Sequence, residues 1–279
     1  MPIHSASVSL TLALTVLAAL VPSAARADQP LWELGLGVGL LHLPHYRGSD
    51  QYRNWLLPIP YFQYRGEVFR ADREGAHALL VDNERLKFDL SLAVNTPTRS
   101  SDNRARVGLP NLSPTLEAGP SVKWILGAGR AGPGEWALDL RLPVRAVFTA
   151  ERNARLIGYT ASPVLNLDWS SQGWDTSWQV GPVAASSGYN RYFYGVPAAY
   201  ATASRRAFEA RGGAGGWAAT VLASRRLGDF WLGTFAQYDS LAGASFDPSP
   251  LVRSRQNLSF GLGLSYVFAV SQTRVPDDR

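Results

Sequence analysis

Residues Asn257–Phe268 read NLSFGLGLSYVF. Leu258, Phe260, Leu262, Leu264, Tyr266 and Phe268 fall on one side of a two-residue repeat, and Asn257, Ser259, Gly261, Gly263 and Ser265 on the other. Alternation at that period belongs to a β-strand; a helix would place its apolar residues three and four apart. The pattern recurs upstream. In Leu31–Leu41, the side chains of Trp32, Leu34, Leu36, Val38 and Leu40 oppose Glu33, Gly35, Gly37 and Gly39. In Glu135–Phe148, the set Trp136, Leu138, Leu140, Leu142 and Val144 opposes Asp139, Arg141 and Arg145.

Twelve segments of this kind are expected: 31–41, 54–65, 67–72, 76–82, 86–95, 114–127, 135–148, 157–170, 174–184, 214–226, 229–239 and 256–270. The third and fourth are short. No stretch sustains a helical period, and residues 197–207 allow a short loop helix at best. Pro58, Pro60, Pro120, Pro143, Pro163 and Pro182 lie inside the segments. Each removes a ladder donor, so bulges or shorter strands are expected there.

The choice between a soluble sandwich and a membrane barrel rests on three features. Several segments reach about ten residues or more, the length a tilted strand needs to cross a bilayer. Aromatic residues stand near segment ends on the apolar face: Trp32, Trp55, Trp124, Trp136, Trp169, Trp174, Trp217, Phe148 and Phe268. Interfacial girdles occupy that place. The gaps also alternate. Gaps 42–53, 73–75, 96–113, 149–156, 185–213 and 240–255 fall on one side, and 66, 83–85, 128–134, 171–173 and 227–228 on the other. All but one of the first set exceed every member of the second, as for long outer loops and short periplasmic turns. The expected fold is all-β: a transmembrane antiparallel up-and-down β-barrel of about 12 strands, with 10 as the alternative.

Residues 1–27 read as a secretory signal peptide. The apolar run Val8–Val21 is too short to span, and Ala25-Arg26-Ala27 offers a small-x-small cleavage site between Ala27 and Asp28. The mature barrel would occupy 28–279, its last strand ending near 270 and a short polar tail following at 271–279. With Cys 0, disulfides, thiolate metal sites and a thiol nucleophile are excluded. The net charge is +5, and Lys87 and Lys123 are the only lysines among 27 basic residues. The arginines are scattered rather than striped, so nucleic acid is not an expected partner.

Leu43-Pro44-His45-Tyr46-Arg47-Gly48-Ser49-Asp50, followed by Leu57-Pro58-Ile59-Pro60-Tyr61, resembles the opening of the MipA/OmpV family of outer-membrane proteins. So does Asn190-Arg191-Tyr192-Phe193-Tyr194-Gly195-Val196. Gly212-Gly213, Asp239-Ser240 and the closing run 261–268 complete the likeness over nearly the whole mature chain. The resemblance implies a barrel in the outer membrane of a Gram-negative cell. It also implies a scaffold role, bridging a murein lytic transglycosylase to a peptidoglycan synthase. Family members often end at the terminal aromatic residue, whereas here Phe268 is followed by AVSQTRVPDDR.

Catalytic candidates are few. The mature chain holds His42, His45 and His77. His45 with Ser49 and Asp50 could form a hydrolytic site, and His42-x-x-His45 half a metal site. The plainer reading is a loop held by polar contacts, with Gly48 at a turn. Asp139, Arg141 and Arg145, Lys87 with Asp89, and Glu117 with Lys123 read as lumen salt bridges rather than a selectivity filter. The Tyr192-Phe193-Tyr194-Gly195 cluster reads as aromatics tucked into the barrel mouth, with a sticky adhesive patch as the alternative. No catalytic, cofactor or metal residues are therefore expected. The leading function is an outer-membrane scaffold or binding protein. A passive small-solute channel, a surface adhesin and an outer-membrane hydrolase are the alternatives.

Overall fold

The computed structural model describes residues 29–65, 69–72, 75–78, 81–82 and 85–275. The expected leader and its Ala27/Asp28 cleavage point lie outside them. In chain order the strands are β1 (Gln29–Pro30), β2 (Trp32–Pro44), β3 (Tyr52–Arg65), β4 (Phe69–Asp72), β5 (Gly75–Ala78), β6 (Val81–Asp82), β7 (Leu86–Asn95), β8 (Thr115–Ala131), β9 (Gly134–Thr149), β10 (Leu156–Ala161), β11 (Val164–Ser171) and β12 (Trp174–Ala185). A helix, α1 (Ser187–Tyr194), comes next, then β13 (Gly213–Leu227), β14 (Phe230–Ser240), β15 (Gln256–Val270) and β16 (Arg274–Val275). Among the described residues no helix is long and apolar enough to cross a membrane.

All strand pairings are antiparallel, and the ladder runs β5-β4-β3-β2-β15-β14-β13-β12-β10-β9-β8-β7-β6, with β11 beside β10 between β9 and β12. β5 ends at Ala78 and β6 begins at Val81. The path therefore starts and finishes on one stretch of chain, and the sheet curls round into a barrel, with β3 paired to β4 over two rungs alone among the described residues. Counting β5 with β6 and β10 with β11 as single staves gives the twelve read from the sequence. The ends β1 and β16 pair with each other through Gln29↔Val275 and Pro30↔Arg274, clasping the two ends of the chain beside the barrel.

Burial is inverted relative to a water-soluble protein. On the long strands the apolar side points outward: Leu36 is 59% exposed, Leu56 67% and Phe268 61%. Most of the large buried strand residues are polar, among them Glu33, Glu117, Asp139, Asn166, Ser177, Ser259 and Ser265, with Val147 and Val267 as apolar exceptions. A continuous apolar belt around a polar interior is stable only in lipid. Trp124, Trp174, Trp217, Phe148 and Phe268 stand on that outer face as expected. Trp55 does not. On β3 the even-numbered side chains Leu56 and Phe62 face out, so the register turns Trp55 inward.

The prolines divide by local structure. Pro182 sits where the β12–β13 register shifts. Ser162-Pro163 separates β10 from β11, and the Pro163 carbonyl leans against Gly181 of β12, which has no side chain to obstruct it. The short helix falls at Ser187–Tyr194 rather than within 197–207, where only a single 3-10 turn forms at Ala198–Tyr200. Gly195 closes it, and the Gly195 N–H donates to Arg191 O.

Candidate functional site

The apolar core of the protein lies over the barrel mouth. Segments 45–51, 96–114, 186–212 and 241–255 converge there. Tyr46, Leu112, Phe193, Tyr194, Ala210, Leu241, Ala244 and Phe246 are buried together, and Leu109, Val196 and Leu251 form a second cluster. Tyr194 and Phe246 stack with centroids 3.7 Å apart. α1 supplies Phe193 and Tyr194 from one turn, so the aromatic cluster is tucked into the mouth rather than displayed.

Polar contacts lock this cap to the strands. Tyr46 Oη donates to Leu251 O at 2.8 Å, and Ser249 Oγ to Tyr194 O at 2.7 Å. Arg106 donates to Phe193 O at 2.9 Å and lies over the Tyr46 ring. Arg205 donates to the carbonyls of Ala105, Val107 and Tyr200. Asn257 at the start of β15 accepts from the Gly48 N–H at 2.6 Å and donates to Ser49 O at 2.8 Å. Gly48, at φ +96, takes a conformation open to glycine. Burial pushes the Tyr46, Tyr189 and Tyr194 hydroxyls well above the ordinary tyrosine range, so they stay protonated.

Below the cap the lumen is divided. One wall is ionic. Asp139 accepts from Arg141 at 2.7 Å and from Asn166 at 2.9 Å, with Lys123 at 3.6 Å. Asp168 accepts from Asn166, Arg141 and Ser177. Glu117 accepts from Asn95 at 3.0 Å and Thr160 at 2.8 Å, with Arg145 at 3.9 Å. Near the periplasmic end Glu33 holds Arg65 and Arg226, at 2.8 and 2.9 Å. Of the expected lumen pairs Asp139–Arg141 forms, whereas Glu117 and Lys123 each pair across to β9, with Arg145 and Asp139, instead of along β8. Lys87 and Asp89 sit on β7.

The histidines are held apart. The His45 ring bonds Asn103 at 3.1 Å; Ser49 Oγ accepts from Asn103 and donates to Gln51 O; Asp50 pairs with Arg104 at 3.2 Å. Each member of the candidate Ser/His/Asp set is thus engaged elsewhere. His42 stacks between Tyr52 and Phe260 and bonds Asn54 at 2.6 Å, away from His45. His77 lies on β5 opposite Arg70, and its side chain is outside the described structure. Among the described residues no three His, Cys, Asp or Glu side chains converge as metal ligands. Asn103, Arg106 and Phe246 escaped the sequence reading, as did the cap contacts of Tyr46 and Asn257. Asn103, Arg106 and Phe246 are isolated residues in otherwise polar loops, and no local pattern marks them.

Fold and site define an outer-membrane β-barrel with a packed extracellular cap. A family model described as MltA-interacting protein MipA matches residues 36–268, and the chain belongs to that family. No curated protein matches the chain. Among solved structures it is similar to a bacterial polysaccharide outer membrane secretin, at 10% identity and TM-score 0.39, covering 87% of this chain and 100% of that one. It is also similar to outer membrane phospholipase A from Escherichia coli, at 10% identity and TM-score 0.32, covering 86% and 91%.

Proposed function

We propose that the barrel is a non-catalytic docking protein of the cell envelope. It holds a murein lytic transglycosylase, and through it a peptidoglycan synthase, at the inner face of the outer membrane. The description of its family as an interacting protein supports this reading. The observation that carries it is the shape of the periplasmic rim. β7 last pairs with β8 at Leu86↔Trp124, yet β8 continues to Ala131. Among the described residues no strand lies on that side of Leu126–Ala131, and Leu126 is exposed there. The β8–β9 tip therefore offers a free backbone edge, with Arg130 and Glu135 beside it, to a periplasmic partner. The packed cap offers no comparable edge.

The test is capture of purified transglycosylase and synthase by the tagged barrel in nanodiscs. Both should be retained, and a variant with Gly127–Gly134 replaced by an Asn-Gly turn should lose them while keeping its heat-modifiable mobility. Absence of capture by the unaltered barrel would refute the reading.

A further inference from the structure

Among the described residues the barrel wall is incomplete beside β3. β3 pairs with β2 from Tyr52 to Tyr64, but with β4 only at Tyr64 and Arg65. Beyond those rungs, no described strand runs along its second edge. Parity identifies the bare groups. The Arg65 N–H donates to Leu31 O at 2.8 Å, on the β2 side. Odd-numbered amides of β3 therefore face β2, and even-numbered ones face the open edge.

The even residues level with lipid-facing Leu34–Leu40 of β2 are Leu56, Pro58, Pro60 and Phe62. Two of these four have no N–H. A strand added at this edge would lose two rungs. A permanently bare edge in hydrocarbon benefits, because each unpaired amide there is costly. Sequence and backbone thus agree that the edge is open. Above, residues 98–103 bridge it: Thr98 Oγ1 donates to His45 O at 2.5 Å, and Asn103 to Ser49 Oγ at 3.0 Å. Below, the β4–β5 hairpin closes it. A window remains at membrane level.

The lumen wall behind the window is largely apolar, unlike the ionic wall of β8 to β12, with the Tyr61 hydroxyl turned to Gln63 and Glu33 at its lower end. Ile59 lies over Gly39 of β2 and Gly263 of β15, where any side chain would collide with it. Tyr61 packs against Trp231 at 5.5 Å, and Leu41 and Phe235 cover Gly261.

We propose that this window admits an acyl chain of a membrane lipid, which lies along Leu57, Ile59, Tyr61, Trp231 and Phe235. The window opens onto hydrocarbon, so lipid tails are what reaches it, and Pro58 and Pro60 exclude a pairing strand. The apolar wall removes the tail from water on its inner side.

The mature chain refolded into phosphatidylcholine vesicles with diazirine-bearing acyl chains tests this. After photolysis, mass spectrometry should find adducts on inward-facing Leu57, Ile59 and Tyr61 as well as on outward-facing Leu56 and Phe62, and none on Asn166 or Ser177. Adducts confined to the outward-facing side chains would overturn the proposal. In Ile59→Asn, labelling of Leu57 and Tyr61 should fall several-fold while Leu56, which reports a correctly inserted barrel, keeps its yield. Inward labelling that persists at the original level in that variant would also overturn it.

Discussion

Arg47 Nε donates to Asp239 Oδ1 at 2.8 Å, joining the loop after β2 to the outer end of β14. The carboxylate is 2% exposed and also accepts from Gln237 at 2.9 Å. Burial opposes the charge on Arg47, and Asp239 together with Tyr194 and Tyr189 more than offsets it, so the guanidinium is held above its ordinary range. The pair fixes the cap to the barrel.

Asp239→Asn leaves that guanidinium buried without its counter-charge, at a cost of about 3 kcal/mol. The outer loops should then become sensitive to external trypsin at Arg191, Arg205, Arg206 and Arg211. Whole-cell proteolysis with mapping of the cuts measures it. Loops as resistant as those of the unaltered protein would show that the pair does not hold the cap.

His45 should make the cap sensitive to acid. Burial, then Arg53, holds its imidazole below 6.5, against a weaker pull upward from Asp102. The unfolded loop therefore binds more protons than the folded one below that value. The stabilisation is complete above about pH 6.5 and is lost as pH falls toward the lower folded value. Protonation also removes the ring acceptor facing Asn103. Hydrogen exchange of residues 98–106 should accelerate between pH 7.5 and 5.5, and His45→Asn should flatten that dependence.

Gly181 is required by the break in the neighbouring staves. A Cβ there would collide with the Pro163 carbonyl, which is backbone and cannot swing aside. Gly181→Ala should destabilise the barrel by ~1–3 kcal/mol, as overpacking does. Gly132, at φ +57 with open space around it, should cost only about 1 kcal/mol when replaced by Ala. The temperatures at which the two variants lose compact gel mobility should rank in that order.

Asp139 gathers Arg141, Lys123 and Asn166 inside the lumen. Asp139→Leu should be far less tolerated than Asp139→Glu, because it removes the buried carboxylate that Arg141 and Lys123 share, at ~3 kcal/mol, although Arg141 keeps Asp168. Urea unfolding in micelles followed by tryptophan fluorescence should separate them.

The strands were legible because alternation is local: Leu258 to Phe268 and Trp136 to Val144 declare their faces without help from the rest of the chain. The short pair at 67–72 and 76–82 was legible only as a count, since its extent depends on how far β3 and β7 reach. Trp55 was misassigned because a tryptophan near a strand end fits a girdle on either parity; the outward Leu56 and Phe62 settle which face it takes. Of the cap, only the inward tuck of the Tyr192–Gly195 cluster could be read ahead, and not its partners. Tyr46 meets Leu251, and Gly48 meets Asn257, across about two hundred residues of chain. No local period encodes such contacts.

Recording from single barrels in planar bilayers tests most directly that the outer mouth is sealed by its own loops. The unaltered protein is expected to give no sustained open-channel steps, and Tyr194→Ala with Phe246→Ala, which empties the stacked pair, is expected to give them. Steady conductance from the unaltered barrel would contradict the account and restore the reading of a small-solute channel.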